Sequence, residues 1–359
     1  MNKLPRFGVI GTGSIGRIHL KALQDAGLRV VALADPSADA LARAAKFAPD
    51  ARHYPDWSAL IADPSVTAIN ICTINALHLP VLKAAVASGK HVFCEKTMTI
   101  SAAEALEAYA LAPHILPGQI VQIGYMKRFF PASVWAKEQL PRIGQPLCAT
   151  VRSYQGGNAT AAIYDSPDWR PAADGVPSQQ RRFAAGGMLN MAGSHMLDMT
   201  AWLLGDPRTV TCRTWSPQGY DAELHAHGLF EMQSGTLIHF EAVLPHLTRT
   251  GEYRNGWEES IQINGTKGRL ELAYPIWNRP ADFPAKARLY TEATQSWEEP
   301  KFPAVDAFRA ELEAFAAATH SASTTNHRPT IRDGAVVDCW IDACYSSART
   351  GQPTVVQLP

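Results

Sequence analysis

GVIGTGSIGRIH, residues 8–19, decides the fold. An apolar run leads into Gly11-x-Gly13-x-x-Gly16 and then into a helical pattern. Each glycine has a physical task in such a turn. Gly11 permits the tight bend, Gly13 lets the backbone approach a pyrophosphate, and Gly16 lets the helix pack closely on the strand. The helix start offers free N–H groups and a partial positive charge to phosphate. Thr12, Ser14 and Ile15 complete the turn. The next strand, RVVALAD, ends at Asp35, 24 residues after Gly11. A carboxylate there suits ribose hydroxyls and repels a 2′-phosphate, which points to NAD rather than NADP.

The pattern continues outward from this turn. VTAINICT (66–73), HVFCEK (91–96) and IVQIGY (120–125) read as further strands. Helical stretches fall at Ile15–Ala26, Ser37–Phe47, around Ala59–Ala62, over HLPVLKAAVASG (78–89), and from Ser101, whose Glu104 makes a capping box. Strand–helix alternation of this kind predicts a parallel, doubly wound α/β sheet, a Rossmann domain. Pro131–Arg142 reads as one more helix. From PLCATVRSY (146–154) onward, strands follow one another, through TVTCRTWS (209–216), AHGLFEMQ (226–233), GTLIHFEAVL (235–244), ESIQING (259–265), GRLELAY (268–274) and ARLYTE (287–292). Turn signals separate them. That predicts an α+β second domain with a large, mostly antiparallel open sheet, closed by helices over Phe302–Thr319 and Arg332–Arg349. The boundaries expected are 1–127 and 128–359, with the last helices packing back near the first domain.

The chain has 359 residues, 46% hydrophobic and 18% charged, with zero formal net charge. Nothing in that balance favours nucleic acid or an anionic membrane. No apolar run approaches the ~18 residues of a membrane helix, and MNKLPRFGVIG lacks the layout of a signal peptide. Cys72, Cys94, Cys148, Cys212, Cys339 and Cys344 show neither CxxC nor disulfide-like spacing, so a cytoplasmic protein with free thiols is expected. His225, His227, His239 and His246 have no acid or cysteine at ligand spacing, and no metal is assigned. Tyr253, Trp257 and Trp277 are candidate sugar-stacking aromatics by location.

VTAINICTINALHLPVLKAAVASGKHVFCEKTMTIS (66–101) carries a second signal. Here the chain resembles the Gfo/Idh/MocA family of sugar and cyclitol oxidoreductases, the group of glucose–fructose oxidoreductase and inositol dehydrogenase. That family shows T-P-N-x-x-H after the third strand and E-K-P after the fourth. This chain has Thr73, Ile74, Asn75 and His78, then Glu95, Lys96 and Thr97, so Ile74 and Thr97 replace prolines. The family's tripeptide often holds a cis bond, which a non-proline residue makes costly. GYMKRFFP (124–131), SPDWR (166–170), Gly186–Asp198, INGTKGRLEL (263–272) and the last two helices extend the resemblance over nearly the whole chain.

The resemblance implies an NAD-dependent enzyme acting on CH–OH groups of a sugar, glycoside or polyol, assembled as a homodimer or homotetramer. It implies that Lys96 contacts the substrate oxygen and the nicotinamide region. His195 would be the acid/base partner, and together they make a catalytic pair. Thr73, Asn75, His78, Glu95, Trp169 and Arg170 join the cofactor set. Tyr125, Arg128 and Asn190 join Lys96 and His195 around the substrate. Arg128 and Lys127 hold a substrate group or only pair with acids. Asp198 orients His195 or serves structure alone, and Gly186, Gly187 and Gly193 are expected to clear room for ligand. Arg152–Phe183 is expected to be a long lid-like loop.

The family pattern G-G-x-L-x-D-x-G-x-H places an aspartate four residues before the histidine. In GGMLNMAGSH (186–195) that position is Met191. Three readings stay open. Lys96 and His195 suffice; another group, such as Tyr125, Tyr164, Asp165 or Asp168, substitutes; or the protein has kept cofactor and sugar binding as a non-catalytic regulator. A non-sugar carbonyl substrate is a further alternative.

Overall fold

The computed structural model describes residues 4–156, 186–215, 222–245, 247–277, 282–320 and 327–359. The chain forms two compact units. One holds the residues up to Phe129 together with Asp306–Asp338, the other Phe130–Val305 together with Cys339–Leu358.

The first unit is built on β1 (Phe7–Ile10), β2 (Val30–Ala34), β3 (Arg52–Tyr54), β4 (Ala68–Ile71), β5 (His91–Cys94) and β6 (Val121–Ile123). Their order is β3-β2-β1-β4-β5-β6, and every neighbouring pair is parallel. The order reverses between β1 and β4, which opens a crevice at the carboxyl ends of those strands. Helices α1 (Ser14–Asp25), α2 (Ala38–Ala44), α3 (Trp57–Ala62), α4 (His78–Ala87) and α5 (Ala102–Tyr109) make the connections. β1 and β4 are buried throughout, as strands covered on both faces must be. The edge strand β3 escapes the sequence reading: its three residues, Arg-His-Tyr, carry no apolar run.

In the second unit, α6 (Pro131–Gln139) precedes β7 (Pro146–Gln155), and α7 (Ser194–Leu204) precedes β8 (Pro207–Trp215), β9 (His225–Met232), β10 (Leu237–Val243), β11 (Trp257–Gly265), β12 (Gly268–Tyr274), β13 (Lys286–Thr291) and β14 (Ser296–Glu298). The chain returns at its end as β15 (Thr354–Val355). The sheet runs β14-β13-β12-β11-β7-β10-β9-β8-β15 and is antiparallel except for the β7–β10 pair. Side chains alternate across it. Val151, Phe230, Phe240, Ile261 and Leu272 are buried on one face. The other face carries ion pairs, Arg152–Glu241 at 3.1 Å and Arg288–Glu271 at 2.6 Å, together with exposed Leu229 and Leu237.

Two late helices close the chain. α8 (Ala307–Ala318) packs on α1 in the first unit, and α9 (Ile331–Thr350) runs from the first unit into the second. The sequence pattern predicts a start for α8 at Phe302, five residues before the observed one. Asp306 caps it instead, accepting from the amides of Phe308 (3.0 Å) and Arg309 (3.3 Å). The six cysteines are free thiols. Among the described residues no helix is long and apolar enough to cross a membrane.

Candidate functional site

The glycine turn has the geometry its sequence dictates. Gly11 has φ of 87°, and a Cβ there would meet Cys72 O at 2.5 Å. A Cβ on Gly16 would sit 2.0 Å from Gly11 O, while the space beside Gly13 is open. Gly13 caps α1 without a side-chain hydrogen bond, so the helix start presents its amides bare. Asp35 reaches this turn from the end of β2. Its Oδ2 accepts from Thr12 N (2.8 Å) and Thr12 Oγ1 (3.1 Å), and its Oδ1 from Ser37 N (2.9 Å). Ser14 and Ile15 are exposed beside them. A dinucleotide fits this arrangement: open backbone for pyrophosphate, a helix N-terminus, and a carboxylate at the ribose position.

The loops after β4 and β5 are laced together. Asn75 Nδ2 donates to Thr97 Oγ1 at 2.7 Å. His78 lies between two carbonyls, Nδ1 at 2.7 Å from Thr97 O and Nε2 at 3.1 Å from Thr73 O. Burial, chiefly, lowers the His78 pKa. The Lys96–Thr97 peptide is cis. Thr97 occupies the position of the family pattern's proline, and its hydroxyl accepts from Asn75. Lys96 lies two residues past the end of β5, after Glu95, and is half-buried. Its amide donates to Glu95 Oε2 at 2.9 Å. Burial raises the Glu95 carboxyl, but the hydrogen bond and charge of His19, with Lys96, outweigh it and hold it low.

Tyr125 and Arg128 are buried. Arg128 pairs with Asp333 at 2.9 Å, both in the first unit, the acid-pairing alternative rather than an open substrate contact. Burial opposes ionisation of Asp333, yet Arg128 and Thr330 bring its carboxyl below the ordinary range.

The histidine segment lies in the second unit. It begins in helical geometry at Met188, makes a π-helical turn over Leu189–Gly193, and continues as α7. π-turns of this kind recur at functional sites. From Gly187 to Thr200 only Met191 and His195 rise above full burial. They share the open face of the segment, so Met191 occupies the side on which the family pattern carries its acid. Asn190 and Asp198 point into the buried side. Packing alone requires two of these glycines, a demand the sequence does not show. A Cβ on Gly187 would lie 2.1 Å from Glu223 O, and one on Gly193 3.1 Å from the Phe240 ring.

Glu223 is a residue that sequence reasoning missed. It is buried, accepts from Leu189 N at 2.7 Å, and receives Tyr345 Oη at 3.2 Å. Burial raises its carboxyl pKa against those hydrogen bonds. It caps the segment that carries His195, from a position 28 residues downstream of it. No local signal marks it. Trp169 and Arg170, with Tyr164, Asp165 and Asp168, lie outside the described residues.

A six-stranded parallel sheet with a bare glycine turn and a ribose carboxylate, joined to a nine-stranded sheet, defines a two-part dinucleotide-dependent oxidoreductase. The profile "Oxidoreductase family, NAD-binding Rossmann fold" matches residues 5–124, and "Oxidoreductase family, C-terminal alpha/beta domain" matches 137–358. The chain belongs to this Gfo/Idh/MocA oxidoreductase family and uses NAD. It is 28% identical to inositol 2-dehydrogenase of Agrobacterium fabrum, over 99% of this chain and 97% of that protein. The inositol 2-dehydrogenase of Pseudomonas fluorescens is 27% identical over the same shares. Among solved structures, levoglucosan dehydrogenase with NADH and L-sorbose has the same fold, with a TM-score of 0.79 at 20% identity and 100% coverage of both chains. Scyllo-inositol dehydrogenase of Lactobacillus casei, with bound NAD(H) and scyllo-inositol, gives 0.75 at 18% identity and 99% of both.

Proposed function

We propose that this NAD-dependent oxidoreductase transfers a hydride between nicotinamide and a secondary alcohol of a sugar, glycoside or cyclitol, with Lys96 and His195 as its catalytic pair. The observation that carries the reading is Lys96 itself, fixed through Glu95 at the carboxyl end of β5, on the sheet edge that bears the glycine turn. NAD, held by residues 11–16 and Asp35, supplies the two-electron acceptor. The chain does the rest. Thr73, Asn75 and His78 shape the adjoining loop. The Lys96 ammonium holds the carbinol oxygen and stabilises negative charge developing there. His195, on the open face of its helix, takes the hydroxyl proton. Asn190 supports that face from behind, and Tyr125 and Arg128 brace the turn after β6. Residues 1–127 bind the nucleotide and 128–359 the substrate, with α8 returning to the first.

Exposed Leu229 and Leu237 on the open sheet support a homodimer or homotetramer in which that face is covered. The free cysteines support a cytoplasmic setting.

Met191 beside His195 favours a second reading, a regulator that binds NAD and a sugar without turnover. The test is NADH formation across a panel of inositols, sugars and glycosides, with NAD binding measured separately. Turnover of any panel member supports the enzyme. Silence across the panel with NAD bound supports the regulator.

A further inference from the structure

Behind Lys96 lies a polar cluster that the proposed reaction does not use. His19 on α1, Glu95 after β5 and Glu311 on α8 bring a ring nitrogen and two carboxyl groups within 4.8 Å of one another. All three are buried, and all three belong to the first unit. The ring centroids of Phe93 and Phe308 lie 5.4 and 5.5 Å from that of His19, in edge-to-face contact.

Hydrogen bonds lace these groups together. Cys72 Sγ donates to Asn70 Oδ1 at 3.3 Å, and Asn70 Nδ2 donates to His19 Nδ1 at 3.1 Å. His19 Nε2 lies 2.6 Å from Glu95 Oε1, within hydrogen-bond distance of the carboxylate. With that contact in place, the array reads as hydrogen-bonded; a divalent cation would have to displace it. Glu95 Oε2 takes the Lys96 amide. Glu311 faces this group with both carboxyl oxygens buried and accepting from no described residue. Burial, then the charges of Glu95 and Asp306, push its carboxyl far above the ordinary range. Burial thus favours the neutral Glu311 carboxyl, whose O–H can be offered to the Glu95 carboxylate within the same 4.8 Å cluster.

We propose that His19 and Glu311 are positioning residues for the reaction: they hold the Glu95 carboxylate from two sides, and Glu95 in turn fixes the main chain of Lys96. The inference rests on the reading of Lys96 as a catalytic residue. It makes the reach of the Lys96 ammonium depend on a side chain more than two hundred positions away in the sequence.

The test compares E311Q, whose amide donates as the acid does, with E311L, which fills similar space and donates nothing. H19L is the second donor-free variant, should E311L not fold. Two readouts are taken. The first is the acetylation rate of Lys96 by acetic anhydride, scored by peptide mass spectrometry against Lys21 and Lys83 in the same sample. It needs no substrate. The second is kcat, KM and NADH affinity on a panel substrate that turns over. E311L should label at Lys96 several-fold faster and lose about 10- to 100-fold in kcat, with KM and NADH binding little changed, as displacement of a catalytic group gives. E311Q should match the wild type in both. Unchanged Lys96 labelling in E311L, equal loss in E311Q and E311L, or a stoichiometric divalent metal in the purified protein would overturn the proposal. K96M separates the two levels. If K96M turns over at the wild-type rate, the catalytic reading fails. If K96M is dead and E311L is fully active, only this inference fails.

Discussion

Asp338 links the lysine loop to stability, and its replacement by asparagine has a calculable pH signature. The residue lies buried on α9. Its Oδ2 accepts from Thr99 N at 2.7 Å and Thr99 Oγ1 at 2.8 Å, three residues beyond Lys96. Its Oδ1 accepts from no described residue. Burial outweighs those hydrogen bonds and the Lys96 charge, and with Glu104 pushes the carboxyl up to about 8. In the unfolded chain it titrates near ~3.9. Between those values the folded chain keeps a proton that the unfolded chain has released. Stability therefore falls as pH rises through that window and is level above it. A gap of roughly four units at ~1.4 kcal/mol per unit sets a ceiling of about 6 kcal/mol on the loss. D338N cannot release a proton and still accepts from Thr99. Thermal midpoints of the two proteins should draw apart from pH 5 to pH 8.5, with D338N ahead by several degrees at the top, at roughly 2 °C per kcal/mol for a chain of this size. A difference that stays constant with pH would refute the argument, because only the proton on Asp338 distinguishes the two.

Other expectations follow from the site. G16A should melt lower and lose NADH binding, since its Cβ would stand 2.0 Å from the Gly11 carbonyl oxygen, a backbone atom that cannot swing away; melting and fluorescence titration check this. D35A removes the acceptor of Thr12 and Ser37 and the carboxylate proposed for the ribose. NAD should bind about 10- to 100-fold more weakly, by the loss of charged hydrogen bonds, and the ratio of NAD to NADP affinities should fall. M191D puts an acid on the face shared with His195. It should raise kcat/KM for polyols about tenfold by bonding a substrate hydroxyl, and steady-state rates on an inositol panel measure it.

The glycine turn and Asp35 were fully legible because a pyrophosphate site is local: every part lies within a strand, a turn and a helix. The T-x-N-x-x-H and E-K-T segments were recognised, but not their bond to one another. That Asn75 and His78 grip Thr97 depends on the pairing of β4 with β5. Helix starts hidden by apolar runs were misplaced, as at Asp306. The π-turn was invisible to a reading that assumes 3.6 residues per turn. The sequence points Gly187 and Gly193 toward a ligand but not toward Glu223 and Phe240, which need their space. Glu223, Glu311 and Asp338 are carboxyl groups on other strands or helices, and only tertiary packing brings them to Leu189, His19 and Thr99. Burial of a charge has no sequence signature of its own.

The most direct test of the central claim is the initial rate of NADH formation by wild type and K96A with inositols, sugars and glycosides, alongside NADH binding by both. The wild type is expected to oxidise at least one of them, while K96A binds NADH and forms none. Turnover by K96A at the wild-type rate would contradict the account.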